Sequence, residues 1–442
     1  ATQSRARELL MVKQAELRRS LWDAAETEAA LVEAGVKPLH AASLRTDVAR
    51  RLVKGDDACA VEKALEALPS AAARAVLSAF PLATTTVADA HTSSDGTVKL
   101  RVKLQCGLEV EAVVINHNPT STSGDHGSGE SEGRDESGRR WTPKPRKSLC
   151  VSSQAGCQMG CTFCATGTMG LQRNLTAGEI LEQMAHAVRY APDIRNVIFM
   201  GMGEPLNNYD AVLTAIRGLR AHFALAERRI TVSTVGVIPR MLDLARDVPD
   251  AGFALSLHAP TQELRRKIVP SATAYPLDKL MAAVDERTRL CGKGTFVEYV
   301  LLSGVNDRAE DCDALAELLK GRDCTVNLIP WNPVLGSGGA ELFDAPAHEA
   351  VHAFHVGLRA RGIHTTVRRT HGQDIAGACG QLVVEAKQQR ERRPPQPPVP
   401  AQPARARRKP RHRGQDTDSS SSDDSGDEET AQKVPARDIE DL

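Results

Sequence analysis

Regular alternation of short apolar segments with amphipathic segments runs from residue 148 to residue 368 and constrains the fold more than any other feature. The apolar segments are typical of buried strands, at 148–152, 196–200, 230–233, 252–257, 295–302, 325–329 and 364–368. The segments between them have helical periodicity, at 176–190, 211–223, 240–246, 277–291, 308–319 and 348–361. Strands that alternate with helices form parallel sheets through right-handed crossovers. We therefore predict an α/β fold whose core is a partial parallel (β/α)6-type barrel.

The sequence on either side of this core predicts smaller units, because 442 residues suffice for two or three domains. Apolar residues at helical spacing predict helices near 5–25, 43–54 and 62–80. Two alternating segments around Gly107 predict strands near 98–104 and 108–115. The division is a helical N-terminal accessory domain at 1–90, a β extension at 91–116, a low-complexity insertion at 117–147, the core at 148–385 and a disordered tail at 386–442.

The distribution of charges and cysteines indicates in which cellular compartment the protein acts. The 56 basic and 56 acidic residues balance, but the tail separates them into a basic block at 405–413 and an acidic block at 416–429. The basic block fits RNA binding, a nuclear signal or a plain solvated tail. The ten cysteines lack the framework of a small secreted domain, and no apolar run approaches the length of a membrane span. We expect a cytoplasmic monomer without membrane contact, with an organelle such as a chloroplast or mitochondrion as the alternative.

Four cysteines lie within the stretch CVSSQAGCQMGCTFC at 150–164. Cys157, Cys161 and Cys164 have C-x3-C-x2-C spacing. A closed structural zinc site uses four ligands, usually from two CxxC-like pairs. Three close thiolates suit an iron–sulfur cluster better, with one iron left open for another ligand. The spacing therefore favours a cluster, and zinc stays the alternative.

Further unusual residues follow the predicted strands, at the end where parallel barrels place their reactive groups. The segment Gly-Met-Gly-Glu-Pro at 201–205 follows the second strand. Its glycines permit close approach of the backbone to a ligand, and Glu204 suits an amine. The other such residues are Ser233, the segment from Ser256 to His258, and Asn332. A single polar residue at a strand end is usually a turn or cap, but several around one mouth predict a ligand site.

Between residues 96 and 382, apart from 118–146, the chain resembles the radical S-adenosylmethionine methyltransferases that methylate adenine in RNA, the RlmN/Cfr family. The resemblance rests on the motifs CVSSQAGC-x3-C-x2-CATG, RNLT, GMGEPLNN, ALSLHAP, NLIPWNP and HGQDIAGACGQL. The N-terminal segment resembles this family only in being helical, and the tail has no counterpart in the family.

The resemblance implies the cofactors and the residues that hold them. Cys157, Cys161 and Cys164 would bind one [4Fe–4S] cluster, whose fourth iron would take S-adenosyl-L-methionine. The pocket for S-adenosylmethionine would be formed by Gly203, Glu204, Ser233, Ser256, Leu257, His258 and Asn332. A small electron carrier such as a flavodoxin or ferredoxin would reduce the cluster.

The resemblance also implies three catalytic residues. Cys379 matches the cysteine that first accepts a methyl group, and Cys150 matches its partner across the active site. Glu111 matches the proton acceptor, with neighbouring Glu109 as a competitor. In this chemistry a radical takes hydrogen from the methylated sulfur, and the resulting carbon radical adds to adenine C2. Cys150 then releases the product, which leaves a Cys150–Cys379 disulfide to be reduced.

The implied substrate is rRNA, tRNA or both, with the target adenine turned out of its stack. Candidate phosphate contacts are Arg265, Arg266, Lys267, Arg368, Arg369 and His371. Methylation at adenine C8 is the alternative within the family, although the closing RRTHGQD is closer to the C2 branch. The alternative from another class is a zinc-bearing RNA-binding protein without catalysis.

Overall fold

The computed structural model describes residues 17–56, 60–117, 133–134, 140–141, 146–333 and 343–382. Its N-terminal part contains helices α1 (Ala24–Glu33), α2 (Leu39–Lys54), α3 (Ala60–Glu66) and α4 (Ala71–Leu77). The helix predicted at 43–54 is confirmed within α2. The single helix predicted at 62–80 is wrong, because Pro69 separates α3 from α4. Ser70 then caps α4 by accepting the N–H of Ala73 at 3.1 Å.

The predicted helix at 5–25 is also wrong where it is described, since residues 17–23 are not helical and α1 begins after them. Its first twelve residues, 5–16, lie outside the described residues. The predicted disordered tail at 386–442 lies outside them as well.

Three antiparallel strands follow the helices: β1 (Thr86–Thr92), β2 (Val98–Lys103) and β3 (Glu109–His117). The two strands predicted in this region are confirmed as β2 and β3. Strand β1 was not predicted, because it is polar, lies at the edge of the sheet and alternates weakly. Most of the predicted insertion lies outside the described residues, which include there a short pair, β4 (Gly133–Arg134) and β5 (Arg140–Trp141).

The core contains strands β6 (Arg146–Cys150), β7 (Gln154–Gly156), β8 (Leu171–Asn174), β9 (Ile194–Phe199), β10 (Ile230–Thr234), β11 (Gly252–Ser256), β12 (Thr295–Leu301), β13 (Cys324–Pro330) and β14 (Thr365–Val367). Its helices are α5 (Ala165–Thr168), α6 (Ala177–Ala187), α7 (Tyr209–Phe223), α8 (Ile238–Asp247), α9 (Gln262–Ile268), α10 (Leu277–Cys291), α11 (Ala309–Leu319) and α12 (His348–Ala360). The predicted alternation of strands and helices is confirmed.

The main sheet has the order β1-β2-β3-β6-β9-β10-β11-β12-β13-β14. From β6 to β14 every neighbouring pair is parallel, while β3 pairs antiparallel with β6. The β extension therefore occupies the edge of β6 at which a closed barrel would be completed. The predicted partial barrel is confirmed, and the β extension is continuous with its sheet.

Apolar side chains along the parallel strands fill the centre of the core. Val232, Leu255, Val326 and Leu328 are fully buried there. Burying such a side chain contributes about 1.5–3 kcal/mol relative to leaving it in water. No helix among the described residues has the length and apolar character needed to cross a bilayer.

Buried polar contacts fasten the N-terminal helices and the segment after them to α6. Asp23 accepts the backbone N–H of Gly178 at the start of α6 at 3.0 Å. The carboxylate of Glu182 accepts the backbone N–H groups of Thr84 and Thr85 at 3.0 and 2.8 Å, and also the Thr85 hydroxyl at 2.6 Å. Because Glu182 is fully buried, water is not available to these donors if the carboxylate is removed.

Substituting Glu182→Leu should lower the free energy of unfolding by about 2 kcal/mol, because it leaves the buried N–H and hydroxyl of Thr85 and the half-buried N–H of Thr84 without their acceptor. Urea unfolding measures this loss. The matched control is Glu317→Leu, at a side chain that is 76% exposed. Equal stability of the two variants would contradict the anchoring role of Glu182.

Candidate active site

A cavity opens at the carboxyl ends of the parallel strands. Concave sites at this end of a parallel barrel are where ligands usually bind. Ten of the predicted site residues line the cavity: Cys157, Cys161, Cys164, Gly203, Glu204, Ser233, Ser256, His258, Asn332 and Cys379. Leu257 is fully buried behind the lining, and Cys150 and Glu111 lie outside it. Residues separated by more than two hundred positions therefore meet at one site.

The loop that carries the three clustered cysteines is held by a small hairpin of β7 and β8. The backbone N–H of Cys157 donates to Gly170 at 3.1 Å. A Cβ at Gly156, which has φ +73°, would lie 1.9 Å from the Gly170 oxygen, so only glycine fits there. Farther along, the N–H of Thr162 donates to Ile268 at the end of α9 at 3.0 Å. Contacts at both ends thus fix the loop over the barrel mouth.

The thiols of this loop lie in a setting that disfavours free thiolates. Burial raises the pKa of Cys157 to about 12, and it raises the pKa of Cys161 well above its ordinary value. The charge of Arg265 acts in the opposite direction on Cys161. Metal coordination would supply the positive charge that thiolates need at this position.

Arg265 is a fully buried cation next to this loop. Its Nε donates to Leu257 at 3.1 Å and its Nη2 donates to Val235 at 2.6 Å, both at backbone oxygens. Its Nη1 has no hydrogen-bond partner among the described residues. A buried cation with a spare donor suits an anionic group, and a cluster held by three thiolates is such a group. The donor set therefore fits an iron–sulfur cluster.

The same residues do not fit zinc. Within the described ranges, no three or more His, Cys, Asp or Glu side chains are placed to hold one metal ion. A structural zinc site needs four ligands that converge on one ion, whereas each thiolate of a cluster binds a different iron. This geometry disfavours the zinc alternative.

Glu204 enters the cavity from the loop after β9. Its two carboxylate oxygens accept the backbone N–H groups of Leu206 and Val235, each at 3.0 Å. Burial raises the pKa of Glu204, and these hydrogen bonds counter that shift. Gly203 has φ +102°, and a Cβ there would lie 2.5 Å from the Cβ of Gln154. Glycine is therefore required for the turn that presents the carboxylate.

The neighbouring strand ends contribute neutral polar groups. The hydroxyls of Ser233 and Ser256 lie 3.2 Å apart. His258 accepts the backbone N–H of Val300 at its Nδ1 at 3.1 Å, and burial lowers its pKa to about 3. The neutral imidazole therefore carries its proton on Nε2, where it is a donor. Asn332 donates to the backbone oxygen of Cys379 at 3.3 Å.

Cys379 lines the cavity on the segment that follows β14. This segment contacts the cysteine loop, since Gly380 accepts the backbone N–H of Ala165 at 2.9 Å. Burial raises the pKa of Cys379, and the charge of Arg368 offsets part of that shift. Cys150 ends β6 and is buried; burial and, to a smaller extent, the Cys379 thiol raise its pKa to about 12. Both cysteines are free, so the implied disulfide is not formed in this structure.

Glu111 lies on β3, two positions from Val113, which pairs with Cys150. Its side chain is buried and forms an ion pair with Lys99 at 3.2 Å. The Lys99 ammonium also donates to the backbone oxygen of Ala376, three residues before Cys379. Glu109 pairs instead with Arg101. Of the two candidate carboxylates, Glu111 is thus the one linked to the segment that carries Cys379.

Two of the predicted RNA contacts are wrong. Arg265 is fully buried beside the cysteine loop, and Arg368 points inward to Cys379. Arg266, Lys267 and Arg369 are exposed. His371 contacts Asp95 at 3.2 Å. An inward-facing arginine has the same local sequence as an exposed one, so no signal in the sequence separates them.

Glu298 is a lining residue that the sequence analysis did not single out. It is 2% exposed and lies within the strand β12, among apolar neighbours in Phe-Val-Glu-Tyr-Val. A carboxylate inside an otherwise apolar strand is the signal that identifies such a residue, because burying an unpaired charge is costly.

Comparison with known proteins identifies the family. Residues 151–319 match the family model of the radical SAM superfamily. A protein of Geobacillus thermodenitrificans, named probable dual-specificity RNA methyltransferase RlmN, is 38% identical over 330 residues, which cover 73% of this chain and 82% of that protein. The chain belongs to the RlmN/Cfr family.

Two further relatives agree with this membership. A protein of Frankia casuarinae with the same name is 48% identical over 260 residues, which cover 56% of this chain and 61% of that protein. The chain therefore spans about three fifths of the length of this relative. The crystal structure of a radical SAM methyltransferase from Sphaerobacter thermophilus is 36% identical, with a TM-score of 0.69, and the match covers 82% of this chain and 99% of that one.

Membership in the RlmN/Cfr family implies a [4Fe–4S] cluster and S-adenosylmethionine as cofactors. The cavity fits both. The cluster would be held by the three-cysteine loop beside buried Arg265, whose Nη1 has no hydrogen-bond partner among the described residues. S-adenosylmethionine would be held by the Glu204 carboxylate and the serine hydroxyls of the same cavity.

Substituting Cys161→Ala should abolish cluster assembly, because two thiolates leave two irons without protein ligands. Protein purified anaerobically should carry about four irons per chain in the unsubstituted form and almost none in the variant. The matched control is Cys291→Ala, at a free cysteine outside the cavity. Iron and labile-sulfide analysis gives the readout, and full iron content in Cys161→Ala would refute the assignment.

Proposed function

We propose that this protein is a radical S-adenosylmethionine methyltransferase that methylates C2 of an adenine in RNA through a methylated cysteine. The observation that carries the proposal is the shared cavity. Cys157, Cys161 and Cys164, the Glu204 carboxylate and Cys379 all line it. A methyl donor held by that carboxylate would therefore share the cavity with the cluster ligands and the acceptor cysteine.

The pocket residues supply binding and orientation. Glu204 receives the ammonium of S-adenosylmethionine, since its carboxylate is already oriented by two backbone N–H groups. Ser233, Ser256 and Asn332 offer hydrogen bonds to the ribose and the carboxylate of the ligand. His258 adds an Nε2–H donor. Leu257, fully buried, supports this wall from behind.

Adenine C2 is a ring carbon with an unactivated hydrogen, and direct attack on a methyl sulfonium is a poor route there. When bound, the cluster and S-adenosylmethionine supply radical chemistry that reaches such a carbon. The cysteines Cys157, Cys161 and Cys164 hold that cluster at the barrel mouth and keep it within the enclosed cavity.

Three side chains handle the methyl group and the protons. Cys379 accepts a methyl group at its sulfur by nucleophilic transfer, and the methylated sulfur then becomes the link to RNA. Glu111 takes the proton from the modified adenine. Cys150 attacks the sulfur of Cys379, which frees the product and leaves a disulfide between the two cysteines. Support for this pairing comes from the effect of the Cys379 thiol on the pKa of Cys150, which places the two thiols near each other.

The substrate is rRNA, tRNA or both, and the adenine is turned out of its stack to enter the cavity. Two relatives are named probable dual-specificity RNA methyltransferases, which supports an RNA substrate. Exposed Arg266, Lys267 and Arg369 are the proposed phosphate contacts. A flavodoxin or ferredoxin is the proposed electron donor to a monomeric enzyme.

Treating unmodified RNA with the protein should produce 2-methyladenosine, measured by mass analysis of the digested nucleosides. Cys379→Ala should abolish this product while leaving the iron content unchanged, because the cysteine is the methyl acceptor and not a cluster ligand. The matched control is Cys324→Ala, at a cysteine outside the cavity. If 8-methyladenosine were the only product, the choice of C2 would be wrong.

Cys150→Ala should stop the reaction at a later stage than Cys379→Ala. Because release requires attack on the sulfur of Cys379, RNA should stay covalently bound to the protein. Denaturing gel electrophoresis with labelled RNA detects that species. Its absence, together with normal product formation, would refute the release role of Cys150.

A further inference from the structure

A largely buried cation, Arg368, lies next to the sulfur of Cys379. Arg368 follows β14, and its backbone N–H donates to Leu328 at 2.8 Å. Its Nη1 lies 3.9 Å from the Cys379 sulfur and 3.0 Å from the sulfur of Met200. The same atom lies 3.7 Å from the carboxylate of Glu298. One guanidinium nitrogen thus contacts both a thiol and a carboxylate inside the cavity.

A row of hydrogen bonds across three strands fixes the carboxylate that holds this cation. Asn327 donates from Nδ2 to Glu298 at 3.0 Å, and Thr366 donates to the Asn327 Oδ1 at 3.2 Å. Glu298 pairs in register with Asn327, and Asn327 pairs in register with Thr366. The register of the three strands therefore places these side chains next to one another. Such support restricts the guanidinium to one position.

The charges that act on Cys379 come from several elements. Arg368 is the cation, while Glu298 and the Cys164 thiol oppose negative charge at the sulfur of Cys379, and the backbone N–H of Gly380 favours it. Glu298 and Cys379 share Arg368. Since a guanidinium has five N–H donors, it can hold the carboxylate and still donate to a thiolate.

We propose that Arg368 is a positioning residue that stabilises the thiolate which Cys379 forms for methyl transfer, and that Glu298, Asn327 and Thr366 fix Arg368 for this task. The inference deepens the proposed function and rests on it. In the step, the thiol proton passes to water in the cavity. The sulfur then forms a bond to the methyl carbon as the bond from that carbon to the sulfonium breaks, and its electron pair stays with the departing thioether. No oxidant or reductant is needed.

The test measures the nucleophilicity of Cys379 without RNA or S-adenosylmethionine. Full-length protein, purified anaerobically with its cluster, is treated with iodoacetamide across a range of pH, and the Cys379 peptide is quantified by mass spectrometry. An opposite charge within about 4–6 Å lowers a thiol pKa by about 1–3 units. Arg368→Gln should therefore slow alkylation of Cys379 about tenfold at pH 8 and move its pH profile to higher pH.

Two further variants separate a charge effect from lost packing. Arg368→Lys keeps the charge and should restore part of the rate. Glu298→Gln keeps a side-chain oxygen that accepts from Asn327 and Arg368 but removes the competing negative charge. It should therefore speed the alkylation of Cys379, the opposite of the change in Arg368→Gln. The control is Arg359→Gln, at an exposed position on α12, which should leave the rate unchanged. Slower alkylation in both Arg368→Gln and Glu298→Gln, or an unchanged profile in Arg368→Gln, would overturn the proposal.

The outcomes for this inference and for the proposed function are distinguishable. A protein whose Cys379 responds to Arg368 as described, but which forms no methyladenosine, would refute the proposed function alone. Normal formation of 2-methyladenosine together with an unchanged alkylation profile in Arg368→Gln would refute this inference alone.

Discussion

Strand β6 pairs in two directions, and the arrangement of the site depends on this pairing. Its parallel partner β9 starts the barrel, and its antiparallel partner β3 brings in the β extension. The strand ends at Cys150, and the cysteine loop follows immediately. Strand β6 therefore positions the candidate release cysteine, Cys150, and the start of the cysteine loop. It also pairs with β3, the strand that carries Glu111. Parallel pairing from β6 to β14 then directs the remaining strand ends to the same mouth.

The segment that carries Cys379 has little regular structure of its own, and contacts from elsewhere hold it in place. The turn between β1 and β2 binds it: Ser93 donates to Asp374 at 2.5 Å, and Asp95 accepts the N–H of Gly372 at 3.0 Å. Asn332 holds the backbone of Cys379 from the barrel side. The β extension, which closes no barrel, thus positions the proposed methyl acceptor against the cluster loop.

The barrel could be predicted from the sequence because strand and helix periodicities alternate over more than two hundred residues. Such periodicities are local, so they can be recognised without the three-dimensional structure. The sequence also predicted the cavity residues that lie in recognisable motifs, such as Glu204 and Cys379. It missed β1, whose polar edge residues lack alternation, and the break at Pro69. It placed Arg368 at the surface, because the burial of a cation depends on partners such as Glu298 that are distant in sequence. Contacts between residues that are distant in sequence can be identified only from the three-dimensional structure.

The central claim is that Cys379 accepts a methyl group from a donor bound beside the cysteine loop. Mass analysis of the Cys379 peptide tests it most directly, after the anaerobically purified protein has been incubated with S-adenosylmethionine that carries a deuterated methyl group and without RNA. We expect a deuterated methyl group on Cys379 and on no other cysteine, at full yield in the Cys150→Ala variant as well. A protein that contains its full iron content and binds the donor, but carries no label on Cys379, would contradict the account.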